Sequence, residues 1–413
     1  MDHSPHDHAI SRRRLLVSAG ALGVAAFAGS SAARASEPNA IRLPFVNGSR
    51  PLTSEFPQKS NMILQRSRPP LLETPFEVFD RGVLTPSDRF YVRWHLANIP
   101  TSIDPATFRL AIRGHVDKVV NLTLDDLTSK FERFQIVAVN QCSGNGRGYF
   151  SPRVPGGEWA NGAMGNARWT GVRLKDLLDY AGVRAGAVQV RFSGLETGVI
   201  PQTPLFKKSL AIDHARDGEV MVAYLMNDEP LPLLNGYPIR LIVPGWYATY
   251  WMKMLKDIEV LNAPDDNFWT AKAYLIPDTP LANVAPGQTG FKLVPISGMV
   301  PRSFITNLQD GATIPRARPT LVRGIAFGGL HRLQKVLLSD DKGQSWTEAT
   351  LGEDYGKYSF RQWQTTVSFP DPGGRTLTVR AVDTTGQMQP TTPNWNGSGF
   401  MRNVIESTDV NVT

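Results

Sequence analysis

Apolar residues in this chain come in short runs, about four to eight long, cut off by glycine, proline, asparagine and aspartate turn signals. Long helical periods are scarce. That pattern restricts the fold to one made mainly of short strands, since a run this short can bury a strand face but not the stripe of a long helix. The fold class expected is therefore α+β, mostly β. With 413 residues, the chain has room for two or three domains.

Leader-like features open the chain. Ser11-Arg12-Arg13-Arg14-Leu15-Leu16 precedes a small, apolar stretch, and Ala33-Arg34-Ala35 offers a small-x-small cleavage site. Residues 1–35 read as a twin-arginine signal peptide, which implies export of a folded protein to the periplasm, often with a cofactor already inserted. The stretch is too short to span a bilayer, and no later segment is long and apolar enough to do so. This leader holds four arginines against two aspartates, so its removal lowers the net charge of +7 by two. A mildly basic remainder suits an anionic substrate or an acidic partner. No run of basic residues interleaved with aromatics points to nucleic acid.

Residues 36–75, rich in proline, serine and arginine, read as an extended arm. Strands are expected over 90–96, with Arg93 and His95 on one face, and over 109–114, 188–193, 237–245 and 252–260. Thr123 is a possible cap for a short helix, Arg173 to Ala181 reads as another helix, and Phe268 to Tyr274 as a loop. Prolines 277, 280 and 286 with Gly287 mark a boundary between a domain over 76–285 and one over 286–413. The second is nearly all β, with about seven short strands, the signature of an immunoglobulin-like sandwich.

Cys142 is the only cysteine. It follows the apolar run Ile136-Val137-Ala138-Val139 and opens the loop Ser143-Gly144-Asn145-Gly146-Arg147. A lone thiol at a strand end, with glycines and a guanidinium beside it, is a place for a metal or an anion. A small buried hydrophobe is the plainer reading of the same residue. Past the leader, His95, His115, His214 and His331 are scattered without ligand spacing. A Cys/His zinc site, an iron–sulfur cluster and a C-x-x-C-H haem attachment are excluded on residue count. No G-x-S-x-G or G-x-x-x-x-G-K motif occurs. A single thiolate can still hold a metal whose other ligands come from a cofactor.

Six motifs then stand in order: Arg93-Trp94-His95; Cys142 to Arg147; Gly171 to Leu178; Met226-Asn227-Asp228-Glu229-Pro230-Leu231-Pro232; Gly236 to Gly245; and Lys253. Together they resemble the sulfite oxidase family of molybdenum enzymes. Ser339 to Trp346 and Pro393-Asn394-Trp395-Asn396 resemble that family's dimerisation domain. The resemblance, over about residues 75–410, implies a molybdopterin-binding domain followed by that sandwich. It implies molybdenum held by a pterin dithiolene without nucleotide, by Cys142 and by two oxygens. Arg93 and Arg147 match the anion pocket, Trp159 its aromatic wall, and Tyr274 a catalytic hydroxyl. His95, Asn145, Arg240, Lys253 and Glu196 match cofactor-binding positions. Two departures stand out. Asn235 replaces the histidine that begins the H-G-[FY]-P-x-R motif of animal members, and Gly397-Ser398 replaces their arginine after the W-N pair, leaving Arg402 to supply a third pocket charge.

The activity implied is oxidation of sulfite to sulfate, with electrons leaving singly. No haem is expected on this chain, so the acceptor would be a separate periplasmic c-type cytochrome. A homodimer, or a complex with a cytochrome subunit, is expected, without membrane or nucleic-acid partners. The alternatives are an S- or N-oxide reductase on the same cofactor, and an exported binding protein built on sandwich domains.

Overall fold

The stretch expected to be an arm is instead a β-meander. Strands Ala40–Arg42, Ser49–Thr53, Met62–Arg66, Leu71–Glu73 and Val92–Arg93 form one sheet in chain order. The computed structural model describes residues 39–45 and 47–413, so the leader expected over 1–35 lies outside the described residues. Pro51 lies in the second strand opposite Ala40, outside the Leu52 and Thr53 pairing with the third strand, where a missing N–H is tolerated. Leu64, Leu72 and Val92 form one cross-strand row. They pack with Met62, Trp94, Leu234 and Met254 in a small core of their own. These strands are short and punctuated, which is why they read as an arm.

Two further sheets build the central body. One carries Lys207–Ala211, Gln189–Ser193, Asp257–Leu261, Leu110–Gly114 and Val120–Leu122 in that spatial order. Its Asp257–Leu261 strand runs parallel to Leu110–Gly114. The other carries Glu229–Pro230, Met221–Met226, Met164–Arg173 and Phe134–Gln141, with Arg240–Ile242 also paired to Met221–Met226. The two stretches expected to continue one another, 237–245 and 252–260, thus part into different sheets. Between them the chain turns through the helical turn Ala248–Tyr250 and buries Trp251, Met252 and Leu255. Phe268–Ala271 is a short helix capped by Asn267, not a loop.

The helix Leu124–Lys130 begins where the cap was expected. Thr123 accepts from the Asp126 amide and Asp126 accepts from the Thr123 amide, a reciprocal capping box. Thr123→Ala should cost about 1 kcal/mol, read as a lower denaturant midpoint without a change in m-value. An unchanged midpoint would show that packing alone sets this helix.

From Arg302 onward nine strands form a two-sheet sandwich. Four-stranded and five-stranded sheets enclose a core of Val322, Val336, Trp363, Leu377 and Val379. Six longer strands carry the sandwich, and Ala312–Ile314 with two two-residue strands, Thr347–Glu348 and Thr350–Leu351, join its edges to make nine where about seven were expected. Phe304, Phe327, Phe360 and Phe400 pack into the main core instead. The sandwich is thereby joined to the body by continuous apolar contact.

Candidate functional site

Cys142 sits one residue past the Phe134–Gln141 strand, where the ladder to Met164–Arg173 ends. Its amide donates to Ala163 O at 2.9 Å, and its carbonyl accepts from the Asn145 amide at 3.0 Å. The thiol is thus fixed by backbone. Gly146 adopts a left-handed φ of +83°, which turns the loop so that Arg147 comes back beside the cysteine.

One cavity is lined by Arg93, His95, Cys142, Arg240, Lys253 and Tyr274. Arg240 is buried between Trp169 and Trp251 and donates to the carbonyls of Asn235 (2.8 Å) and Trp251 (3.3 Å). Burial lowers it to about 10. Lys253 lies with Nζ 4.5 Å from the Trp94 ring centre. His95 stacks on Phe206, and its Nε2 is 2.6 Å from the Tyr274 hydroxyl. Burial, then the charges of Arg93, Lys253 and Lys208, hold its pKa well below the ordinary value, so the ring is neutral. Its Nδ1 faces the Glu196 carboxylate at 3.9 Å. Nε2 and the Tyr274 hydroxyl share a hydrogen bond whose direction follows the ring's tautomer. Burial raises the Tyr274 hydroxyl, which stays protonated.

Above this cavity opens a recess of about 600 Å³, lined by Arg66, Arg93, Arg147, Trp159, Tyr274 and Ser398, among others. Arg147 is buried and donates to Gly157 O and Ser398 O, both at 3.3 Å. Glycines make room for its guanidinium. A Cβ on Gly156 would lie 2.9 Å from Nη1, and one on Gly399 2.7 Å from Nε.

The sequence-expected residues divide cleanly. Arg93, His95, Cys142, Arg147, Trp159, Arg240, Lys253 and Tyr274 line the cavity or the recess. Asn145, Glu196 and Arg402 do not. Asn145 is occupied by Gln141, the Asn161 carbonyl and the Ala163 amide, which tie its loop to the segment before the Met164–Arg173 strand. Glu196 accepts from the amides of His95 and Leu96, so it places His95. Arg402 turns away to pair with Glu406 at 2.6 Å and to cover the Tyr149 ring. The third pocket charge expected of it is absent from the recess, because a carboxylate four residues on captures it. Asn235 does line the cavity, but its side chain accepts from Lys59 and donates to Tyr91 O. Asn140 and Thr249, also in the wall, carried no sequence signal.

Buried polar atoms without partners cluster here: Arg93 Nη1, His95 Nδ1, Asn140 Nδ2, Arg147 Nε, Arg240 Nε and Thr249 Oγ1. Buried donors left unpaired are costly. Three cationic side chains, Arg93, Arg240 and Lys253, also line the cavity with no carboxylate in its wall, and nearby Glu196 is already engaged by backbone. Both facts call for a polyanionic group. Among the described residues, no cluster of three or more His, Cys, Asp or Glu could hold a metal alone. A metal beside Cys142 must bring its other ligands with it. These residues fit a phosphorylated, metal-bearing cofactor.

Fold and site together define a protein built around a buried polyanionic cofactor. The oxidoreductase molybdopterin binding domain matches residues 95–269, and the Mo-co oxidoreductase dimerisation domain matches 295–412. Mouse mitochondrial sulfite oxidase is 33% identical over 387 residues, covering 89% of this chain and 69% of the mouse protein. Spinach NADH nitrate reductase is 30% identical, over 82% of this chain and 38% of its own. The sulfane dehydrogenase SoxCD of Paracoccus pantotrophus is similar in fold, with a TM-score of 0.69, 22% identity, and coverage of 95% of this chain and 96% of that one. The chain belongs to the sulfite oxidase family of molybdenum oxidoreductases.

A cofactor anion seated on Lys253 should bind with a pH dependence. Burial, opposed by Glu196 and reinforced by Arg240 and Arg93, lowers it to about 7. Between about pH 7 and its ordinary value the unfolded chain binds more protons here, so the cofactor-free protein gains stability as pH rises. An anion on Lys253 keeps it charged and removes that gain. The stabilisation conferred by cofactor should therefore be largest at or below pH 7 and shrink toward pH 10. Melting curves of loaded and cofactor-free protein check this; a constant difference would take Lys253 off the phosphate.

Proposed function

We propose that this chain oxidises sulfite to sulfate in the periplasm and passes the electrons singly to a separate c-type cytochrome. The observation that carries the reading is the recess above Cys142, where the Arg93 and Arg147 guanidiniums converge with buried nitrogens unpartnered. Planar forks that never lose their charge suit the oxygens of a small dianion. Cys142 would ligate molybdenum through Sγ, and Arg240, Lys253 and His95 would hold the pterin and its phosphate. When bound, the group supplies two-electron oxygen transfer to sulfur and one-electron release.

The chain's own residues do the rest. Arg93 and Arg147 neutralise the entering anion and orient its lone pair inward. Trp159 and Phe400 shape the wall and restrict water. Tyr274, stacked on Phe400 and fixed by His95, presents a protonated hydroxyl at the boundary between cavity and recess. It can hold or hand on a proton at that oxygen. The match to the dimerisation domain supports a homodimer, and the twin-arginine leader supports export of the loaded protein.

A second reading, oxyanion or oxide reduction, is favoured by the likeness to nitrate reductases. One experiment separates them. The purified protein is analysed for molybdenum, then assayed for sulfite-dependent reduction of ferricyanide and cytochrome c, and for nitrate and sulfoxide reduction by reduced viologen. Sulfite turnover at least a hundredfold above the reductase rates is expected. Molybdenum present without sulfite turnover would overturn the proposal.

A further inference from the structure

We propose that Arg66, delivered by a β-bulge in the N-terminal meander, supplies the third anion-binding guanidinium of the recess. The proposal rests on the reading of the recess as an anion pocket, and deepens it by one residue.

The strand Met62–Arg66 pairs with Leu71–Glu73, and its register shifts between Leu64 and Arg66. Leu64 stands opposite Leu72, on the face that packs against Trp94 and Leu234. Strict alternation would send Gln65 to the other face and return Arg66 to the apolar one. The extra residue prevents that. Arg66 stands opposite Leu71, and Leu71 opposite Arg93, so the three share one row and one face. Gln65, Arg66, Leu71 and Arg93 accordingly all line the recess. Re-aiming a side chain is a recognised use of a bulge.

The charges support the assignment. Five arginines line the recess: 50, 66, 93, 147 and 153. Arg50 and Arg153 both pair with Glu158, at 3.0 and 2.9 Å. Among the described residues, Arg66 makes only a 3.4 Å hydrogen bond to Pro69 O. It is close enough to Arg93 for the two positive charges to oppose each other, a repulsion that a shared anion removes. The C-terminal wall offers Gly397, Ser398 and Phe400 and no cation, since Arg402 is held by Glu406. The meander thus fills the electrostatic gap that the C-terminal segment leaves.

The test compares R66Q, R66K and R68Q with wild type. Arg68 is exposed and bonds Ala97 O and Asn98, away from the recess, so R68Q makes the same charge change elsewhere. Sulfate binding to the purified proteins is measured by calorimetry, and sulfite KM, kcat and sulfate inhibition by steady-state kinetics. R66Q should weaken sulfate binding and raise sulfite KM about tenfold, with a much smaller change in kcat. R66K should recover part of the loss, and R68Q should match wild type. Equal sulfate affinity in R66Q and wild type would overturn the proposal, as would an equal loss in R68Q. A wild type that binds sulfate but does not oxidise sulfite would overturn the function while the sulfate comparison still judges Arg66.

Discussion

Cys142→Ser should abolish sulfite oxidation, on the order of a thousandfold or more, while leaving the fold intact. Losing an outer partner of a metal ligand typically costs about 10–100-fold, and loss of the ligand itself must exceed that. Serine has nearly the same volume, and the backbone bonds of residue 142 to Ala163 and Asn145 do not involve its side chain. The loop therefore persists. A serine hydroxyl, however, is a hard and weakly acidic donor where a soft thiolate is needed. Arg240, Lys253 and His95 are untouched, so pterin should still be recovered from the variant. The measurement is sulfite-dependent ferricyanide reduction beside molybdenum and pterin content. Activity above about a tenth of wild type would remove Cys142 as the metal ligand.

That Cys142 belongs in the cavity wall was legible from its chemistry. One thiol, no clustered histidines and a glycine loop leave few uses for a metal site, and ordered motifs supply the rest. Arg93 and His95 were legible as neighbours on one face, although the strand holding them stops at Arg93 and the chain then turns. Both still reach the cavity, with Trp94 between them buried in the opposite core.

What stayed hidden depends on pairing between distant segments. Lys59 is buried and holds Asn235 together with the Ser87 and Phe90 carbonyls. Nothing near residue 59 announces this, since its partner lies 176 positions away. Arg66 depends on a bulge, and a bulge is a property of two strands. Arg402 fails in the opposite way. Its position after the W-N pair invites transfer of a pocket role, yet in the irregular stretch that leads into the Glu406–Val412 strand it pairs with Glu406 instead. The arm failed as a reading because proline and arginine content outweighed the three-residue apolar run Met62-Ile63-Leu64 and the pair Leu71-Leu72, which are what the sheet uses.

Arg147→Gln should raise sulfite KM and the sulfate inhibition constant together, with about a hundredfold loss in kcat/KM. Hydrogen bonds to a charged group contribute about 1.5–3 kcal/mol, and each 1.4 kcal/mol is roughly tenfold. Arg147 has no carboxylate partner among the described residues, and its Nε is buried and unpaired. Its charge is therefore free for a ligand. Because the same guanidinium meets sulfite and sulfate, most of the loss should fall on KM, the mark of binding shared by ground and transition states. A second effect goes the same way. Gly144, Gly156 and Gly399 crowd the guanidinium, and the Gly157 and Ser398 carbonyls take its hydrogens. Glutamine fills less of that cradle and can satisfy at most part of it. Arg147→Lys should rescue poorly for the same reason: a single ammonium cannot span two carbonyls and an anion in one plane. If lysine restored wild-type KM, charge alone would suffice and the planar fork would be irrelevant. If glutamine left both constants unchanged, the buried guanidinium would be a strut for the loop, and the anion pocket would have to be sought between Arg93 and Arg66.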